Sequence, residues 1–307
     1  MKHLLKMEDL SKKDIIKILN LADQLKYSQK HHLPHESLKG KQLAMIFAKS
    51  STRTRVSFEV GINQLGGNAL FLSQSDLQLG RGESIEDTAK VLSRYVDGIM
   101  IRTFKQSDVE ELAKHSDVPV INGLTDFSHP CQILADLMTI REHLTELEGK
   151  TVAWVGDGNN VCNSLIVGAL TCGMKVRVAT PKGYEPDATV IANYDFFLTN
   201  DPKEAVAGAD VVFTDVWASM GQEKEAQERA LIFEPFQVNE SLMALAHPQA
   251  IVQHCLPAHK GEEISEGTFK KHATAIYDEA ENRLHVQKAI MAILMDAQEN
   301  AAALKVV

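Results

Sequence analysis

The 307-residue sequence predicts an α/β fold of two domains, each a mainly parallel sheet flanked by helices, with the active site in the cleft between them. Three observations predict it. Short apolar runs alternate with helical periods of roughly 10–15 residues, the pattern of parallel sheets with crossover helices. The polar break Glu148-Gly149-Lys150 separates two such series, with the split near 135–150. Polar and charged segments repeatedly follow the apolar runs, and open parallel sheets bind ligands at the carboxyl ends of their strands.

In chain order, Ser11-Lys12-Lys13-Asp14 is a capping-box pattern, and Leu10 and Ile15 stand at staple spacing. Ile15, Leu19, Ala22 and Leu25 continue that helix as an apolar stripe. The first strand is expected over 42–48, followed by a helix over 54–65 that Gly66-Gly67 stops. Strand 69–72, helix 84–95, strand 97–103, helix 107–115, strand 118–122 and helix 130–143 complete the first series. The second contains strand 151–155, helix 160–173 and strands 175–179, 210–216 and 250–255. A strand over 274–277 and a last helix over 281–303 end the chain.

An apolar share of 44% with 24% charged residues is an ordinary globular balance. A net charge of −9 argues against a nucleic-acid coat and makes any phosphate site a local island of positive charge. Cys131, Cys162, Cys172 and Cys255 form no CxxC pair, so neither a disulfide framework nor a structural zinc is expected. No apolar run reaches the ~20 residues of a membrane helix, and the N-terminus lacks a signal-peptide core. The expected compartment is the cytoplasm.

The strongest local signal is Lys49-Ser50-Ser51-Thr52-Arg53-Thr54-Arg55, which follows a strand and opens a helix. Helix N-termini attract anions, and arginine forks match phosphate oxygens. By itself the segment also suits a solvated basic cap, and without GxxxxGK[ST] it implies no nucleoside triphosphate. In His129-Pro130-Cys131-Gln132 the proline pins a helix start, and His129 and Gln132 share one face as neutral hydrogen-bonding groups. A satisfied cap histidine is the plainer reading. Arg102 ends the strand Gly98-Ile99-Met100-Ile101.

Gly156-Asp157-Gly158-Asn159-Asn160 sits between strand and helix, but Val161 replaces the third glycine of a dinucleotide loop. The strand ending Ala179-Thr180-Pro181 also lacks the ribose-binding acid, and both absences disfavour NAD. Asp215-Val216-Trp217-Ala218-Ser219-Met220-Gly221 offers a strand-end carboxylate for an ammonium; Trp217 rules out GxSxG. His254-Cys255-Leu256-Pro257 ends another strand without companions at metal-ligand spacing, and Glu281-Asn282-Arg283 opens the expected last helix.

Together, in order and over nearly the whole chain, the segments Ser51 to Arg55, His129 to Gln132, Asp215 with Ser219-Met220-Gly221, His254 to Pro257 and Glu281 to Arg283 resemble the aspartate/ornithine carbamoyltransferase family. The resemblance implies a carbamoyl-phosphate-binding domain from 1–140 plus 282–307 and an ornithine-binding domain from 141–281. It implies carbamoyl transfer from carbamoyl phosphate to the δ-amine of L-ornithine, giving L-citrulline and phosphate, a step of arginine metabolism and amino-acid biosynthesis. Carbamoyl phosphate would be bound by Ser51, Thr52, Arg53, Thr54, Gln78, Arg102, His129, Gln132, Cys255, Leu256 and Arg283. Arg53, Arg102, His129, Cys255 and Arg283 would be catalytic, and Asn160, Asp215, Ser219 and Met220 would hold ornithine. No cofactor or metal is implied. A homotrimer, or a multiple of trimers, is implied, with Gln78 reaching a neighbour's site. The segment Arg81-Gly82-Glu83-Ser84 lacks the lysine that aspartate-using relatives carry, and Ser219-Met220-Gly221 favours ornithine over putrescine. The rival readings are a sister transferase acting on aspartate, putrescine or an acylated ornithine, a NAD-dependent dehydrogenase, and a non-catalytic phosphate-binding protein.

Overall fold

A computed structural model describes residues 1–74, 77, 82–218 and 225–303, apart from the side chains of 226 and 297–303. The chain divides into two compact units, Met1–Leu134 with Arg283–Val307, and Ala135–Asn282.

In the first unit the elements are α1 (Lys12–Lys30), β1 (Gln42–Phe47), α2 (Thr52–Gln64), β2 (Asn68–Ser73), α3 (Ile85–Leu92), β3 (Gly98–Arg102), α4 (Gln106–His115), β4 (Val120–Leu124) and the start of α5 (Pro130–Leu144). The Ser11–Asp14 capping box forms, with Ser11 Oγ accepting the Asp14 N–H. All pairings are parallel, in the order β2-β1-β3-β4. The central β3 is buried along its length and β1 nearly so, which is why both read as unbroken apolar runs. One core joins Ala44, Ile46, Ile99 and Ile101 of these strands to Ala89 of α3 and Val109 and Leu112 of α4.

The second unit contains β5 (Thr151–Val155), α6 (Asn160–Thr171), β6 (Lys175–Ala179), α7 (Ala188–Asn193), β7 (Phe197–Thr199), α8 (Pro202–Val206), β8 (Val211–Phe213), α9 (Ala226–Phe233), α10 (Glu240–Met243) and β9 (Ile251–Gln253). Its parallel sheet runs β7-β6-β5-β8-β9. A core of Ala153, Val155, Val212 and Val252 packs with Val206, Phe236, Phe269 and Ile276.

Three expectations need correction. The strand over 274–277 does not exist, and the last helix does not begin at 281: α11 runs unbroken from Glu266 to Ala303. Thr274, Ile276 and Tyr277 imitate a strand locally, but no glycine or proline follows Gly267 to stop a helix. Phe269 and Ile276, two turns apart, are both buried in the core, so burial of a helical stripe overrides residue preference. Arg283 is therefore a mid-helix residue and not one in the opening turn of a helix. β8 and β9 are also three residues each, shorter than expected.

Both sheets contain a switch point, where successive connections leave a strand in opposite directions. In the first unit it lies between β1 and β3, and in the second between β5 and β8. Crevices at such points are where open α/β sheets receive ligands.

Candidate active site

At the first switch point, Ser51 is the N-cap of α2, in extended backbone, with its Oγ accepting the Thr54 N–H at 3.2 Å. That bond turns the chain into the helix, whose first-turn N–H groups point out of its N-terminus, a geometry that suits an anion. Thr54 is buried, and its hydroxyl oxygen accepts from two guanidiniums, Arg102 at 3.5 Å and Arg283 at 3.3 Å. Arg283 also donates to Gln132 Oε1 at 2.5 Å. One hydroxyl on α2 is thus braced from the end of β3 and from α11, while α11 in turn holds the first turn of α5.

His129 precedes Pro130, and its carbonyl accepts the N–H groups of Gln132 and Ile133 at 3.1 and 3.3 Å. Burial holds its imidazole well below the ordinary histidine range, and the charges of Arg283, Arg102 and Arg53 push the same way. The ring is neutral near pH 7, a hydrogen-bond donor beside three cations. The predicted group Thr54, Arg102, His129, Gln132 and Arg283 is therefore together and buried, with Ser51 at its edge and the Arg53 charge acting on His129.

The other cations of the Lys49–Arg55 segment have partners elsewhere. Lys49 pairs with Asp126, and Arg55 lies 3.7 Å from the Phe71 ring centroid and 3.4 Å from Glu59. Cys131, although within the His129–Gln132 motif, is a buried thiol pushed up to about 12 by desolvation. Gln78 lies outside the described residues.

At the second switch point, Asn159 caps α6, its Oδ1 accepting from Val161 and Cys162 N–H. Its amide nitrogen donates to Asp215 Oδ2 at 2.8 Å, and the Cys255 thiol donates to Asp215 Oδ1 at 3.1 Å. Burial raises the Cys255 pKa well above the ordinary thiol range, followed by the charge of Asp215, the hydrogen bond to it and the charges of Glu279 and Asp136. Cys255 is a protonated donor at neutral pH, not a thiolate. Leu256 has φ 57, a left-handed conformation costly for a branched residue. His254 holds the turn: Nδ1 accepts the Leu256 N–H at 2.9 Å and Nε2 meets Glu263 at 3.0 Å, while Glu279 accepts the His254 N–H. Ser219 and Met220 lie outside the described residues. Asn160 stands at the first turn of α6 beside the cap.

Sequence reading missed the role of Asn159 relative to Asn160, because only the fold reveals which amide reaches Asp215. It also missed Glu263 and Glu279, whose partners are distant in sequence. Asp215, His254 and Cys255 have ligand atoms within 4.8 Å of one another, but both ring nitrogens of His254 and the thiol are already engaged in protein hydrogen bonds.

The Gly156–Asn160 turn is not open to a dinucleotide. Gly158 donates its N–H to Tyr184 O at 2.9 Å, and a Cβ there would stand 2.3 Å from the backbone of Glu185 and Pro186. The chain's own 184–186 segment lies where a pyrophosphate would approach.

Comparison with known proteins agrees with this geometry. Residues 2–142 match the family model described as aspartate/ornithine carbamoyltransferase, carbamoyl-P binding domain, and residues 148–294 match its Asp/Orn binding domain. A protein named ornithine carbamoyltransferase from Carboxydothermus hydrogenoformans is 59% identical over 300 residues, covering 95% of this chain and 96% of the relative. Its namesake from Thermococcus kodakarensis is 54% identical, covering 94% and 95%. The solved ornithine carbamoyltransferase of Pyrococcus furiosus superposes with a TM-score of 0.91 at 53% identity, covering 96% of this chain and 97% of that one. By sequence, fold and site geometry, the chain belongs to the aspartate/ornithine carbamoyltransferase family.

Proposed function

We propose that the chain transfers the carbamoyl group from carbamoyl phosphate to the δ-amine of L-ornithine, giving L-citrulline and phosphate. The observation that carries this reading is Thr54: its hydroxyl is held by Arg102 and Arg283 beside a neutral His129, a cluster suited to an anion next to a carbonyl. The relatives named ornithine carbamoyltransferase support ornithine as the acceptor.

In this reading the first unit, which includes the end of α11, forms the carbamoyl-phosphate-binding domain, and the second unit the ornithine-binding domain. Ser51, Thr52, Arg53 and Thr54 grip the phosphate. Arg102, His129, Gln132 and Arg283 surround the carbonyl and phosphate oxygens, and the family resemblance also assigns Cys255 and Leu256 to this ligand. Asn160, Asp215, Ser219 and Met220 hold ornithine. Charge grows on the carbonyl oxygen during attack, and Thr54, Arg102 and His129 stabilise it; Arg53 and Arg283 stabilise the departing phosphate.

The amine must lose its proton. With an alkylammonium pKa of ~10.4, about one molecule in a thousand is neutral near pH 7.4, a cost of about 4 kcal/mol unless the site selects that form. The raised pKa of Cys255 removes a thiolate as resident base. Asp215 holds the α-ammonium of ornithine, and the δ-amine attacks in its neutral form. As the C–N bond forms and the C–O bond to phosphate breaks, the departing phosphate accepts the proton that the new amide nitrogen sheds.

Among the described residues, no helix is long and apolar enough to cross a membrane; the proposed compartment is the cytoplasm. The proposed assembly is a homotrimer or a multiple of trimers. Exposed Val56 and Val60 on α2 and Leu70 and Phe71 on the edge strand β2 supply an apolar surface for it, and Gln78 would serve a neighbour's site.

Carbamoylation of ornithine, aspartate, putrescine and N-acetylornithine at matched concentration tests the reading. Ornithine should give the highest kcat/KM. Preference for another amine would replace the proposed acceptor, and failure with all four would remove the reaction.

A further inference from the structure

Lys49 lies just before the phosphate-gripping turn, yet its ammonium is paired with the Asp126 carboxylate and stands 4.4 Å from the centroid of the Phe104 ring. The three residues come from three connections at the carboxyl edge of one sheet: β1 to α2, β3 to α4 and β4 to α5. The same connections adjoin the Ser51 cap with the first turn of α2, Arg102 at the end of β3, and His129 with Gln132 in the first turn of α5. Backbone bonds already join neighbours, with Ala48 N–H donating to Arg102 O and Asp126 N–H to Phe104 O, both at 2.8 Å. The Lys49 side chain joins the first connection to the third.

Burial separates this pair from an ordinary surface contact. Lys49 is 8% exposed, although the Asp126 side chain remains 62% exposed. Exposed ion pairs add little to stability. A cation whose stem is enclosed and whose head is shared between a carboxylate and an aromatic face instead fixes a direction. Reacting groups set on separate loops gain from such fixing, since a displacement of about 1 Å costs on the order of a hundredfold in rate.

We propose that Lys49, held by Asp126 and Phe104, is a positioning residue for carbamoyl phosphate, setting the spacing between the Ser51–Thr54 turn and the His129 turn. The inference rests on the proposed function only for the identity of the ligand. A double-mutant cycle of Lys49→Met and Asp126→Ala tests it, read through KM for carbamoyl phosphate, KM for ornithine and calorimetric binding of inorganic phosphate. Each single change should raise the carbamoyl-phosphate KM by ~10-fold, and the double variant should be no worse than the more severe single one. The ornithine KM should move by less than about 2-fold, and Lys49→Arg, which keeps the ion pair, should recover most of the loss. Should Lys49→Met not fold, Asp126→Ala and Lys49→Arg carry the comparison, because Asp126 is exposed.

Additive losses, an equal rise in both KM values, or an unchanged carbamoyl-phosphate KM would overturn the positioning role. If no amine is carbamoylated, the function reading fails; phosphate binding then decides the inference, with non-additive weakening supporting it and additive or absent weakening sinking it.

Discussion

The two switch points of this molecule solve opposite electrostatic problems. At the first, three guanidinium charges act on one neutral imidazole, and two of them converge on a single hydroxyl. At the second, a carboxylate accepts from an amide and a thiol. The difference teaches how each meets its ligand. The first gathers like-charged guanidiniums around one hydroxyl and one imidazole, an arrangement that favours an anion. Asp215 already accepts on both oxygens, from Asn159, Cys255 and the Val216 N–H, so an ammonium there would share a carboxylate that is largely satisfied. In the proposed function the first would meet its ligand with gathered charge, the second with a carboxylate already in a hydrogen-bond network.

The most damaging way to break the first pattern is Arg53→Ala, expected to lower kcat by roughly 10³-fold with the fold intact, since one preorganised donor contributes about 10²–10³ and a charge is lost as well. Steady-state rates beside a thermal melt check this, and near-normal turnover would remove Arg53 from the anion site. Asp215→Asn breaks the second pattern. Its effect should fall mainly on ornithine, raising KM by ~10²-fold through loss of a charge-assisted hydrogen bond; unchanged ornithine kinetics would contradict the assigned role.

Cys255→Ser sharpens the comparison. A hydroxyl can still donate to Asp215, so only a loss of about 10-fold is expected, with no change in the acid limb of the pH–rate profile. A shifted limb would show that the thiol itself titrates during turnover.

The smallest effect concerns stability. Lys288 is buried against Gln64 and His35, and desolvation lowers its pKa to about 8 from 10.5. Between those values the unfolded chain binds a proton that the folded chain does not, so this group's contribution rises with pH from about 8 to 10.5. Lys288→Met should raise the Tm by a few degrees at pH 7 and by less at pH 9.5, roughly the size expected for ~1 kcal/mol. Equal gains at both pH values would show that the folded lysine keeps its proton across that range, and would contradict the lowered pKa.

The sheet strands were legible because parallel strands buried on both faces are continuous apolar runs, and β5 and β6 fall where those runs stand. The turn at Ser51 and the Pro130 helix start were legible because capping chemistry is local. α11 was not: Thr274 to Tyr277 favour a strand by residue type, and only burial of Phe269 and Ile276 along one stripe shows the helix. Short elements such as α7 and β7 were also unread, although Asp187 caps α7 by accepting the Thr189 N–H. Nor could spacing reveal that Lys49 faces Asp126, that Asn159 faces Asp215, or that Glu279 holds His254. Those pairings join residues 77, 56 and 25 positions apart and exist only after folding.

The Gly158 crossing has a consequence for redesign. A protein engineer seeking to graft a nucleotide cofactor onto the second sheet would not succeed by restoring the missing glycine and acid alone. The bulk of the 184–186 segment would have to be excised or rerouted first, and Gly158→Ala would collide with that backbone before any cofactor arrived. At this turn the obstacle to a dinucleotide is main chain, which substitution of side chains does not move.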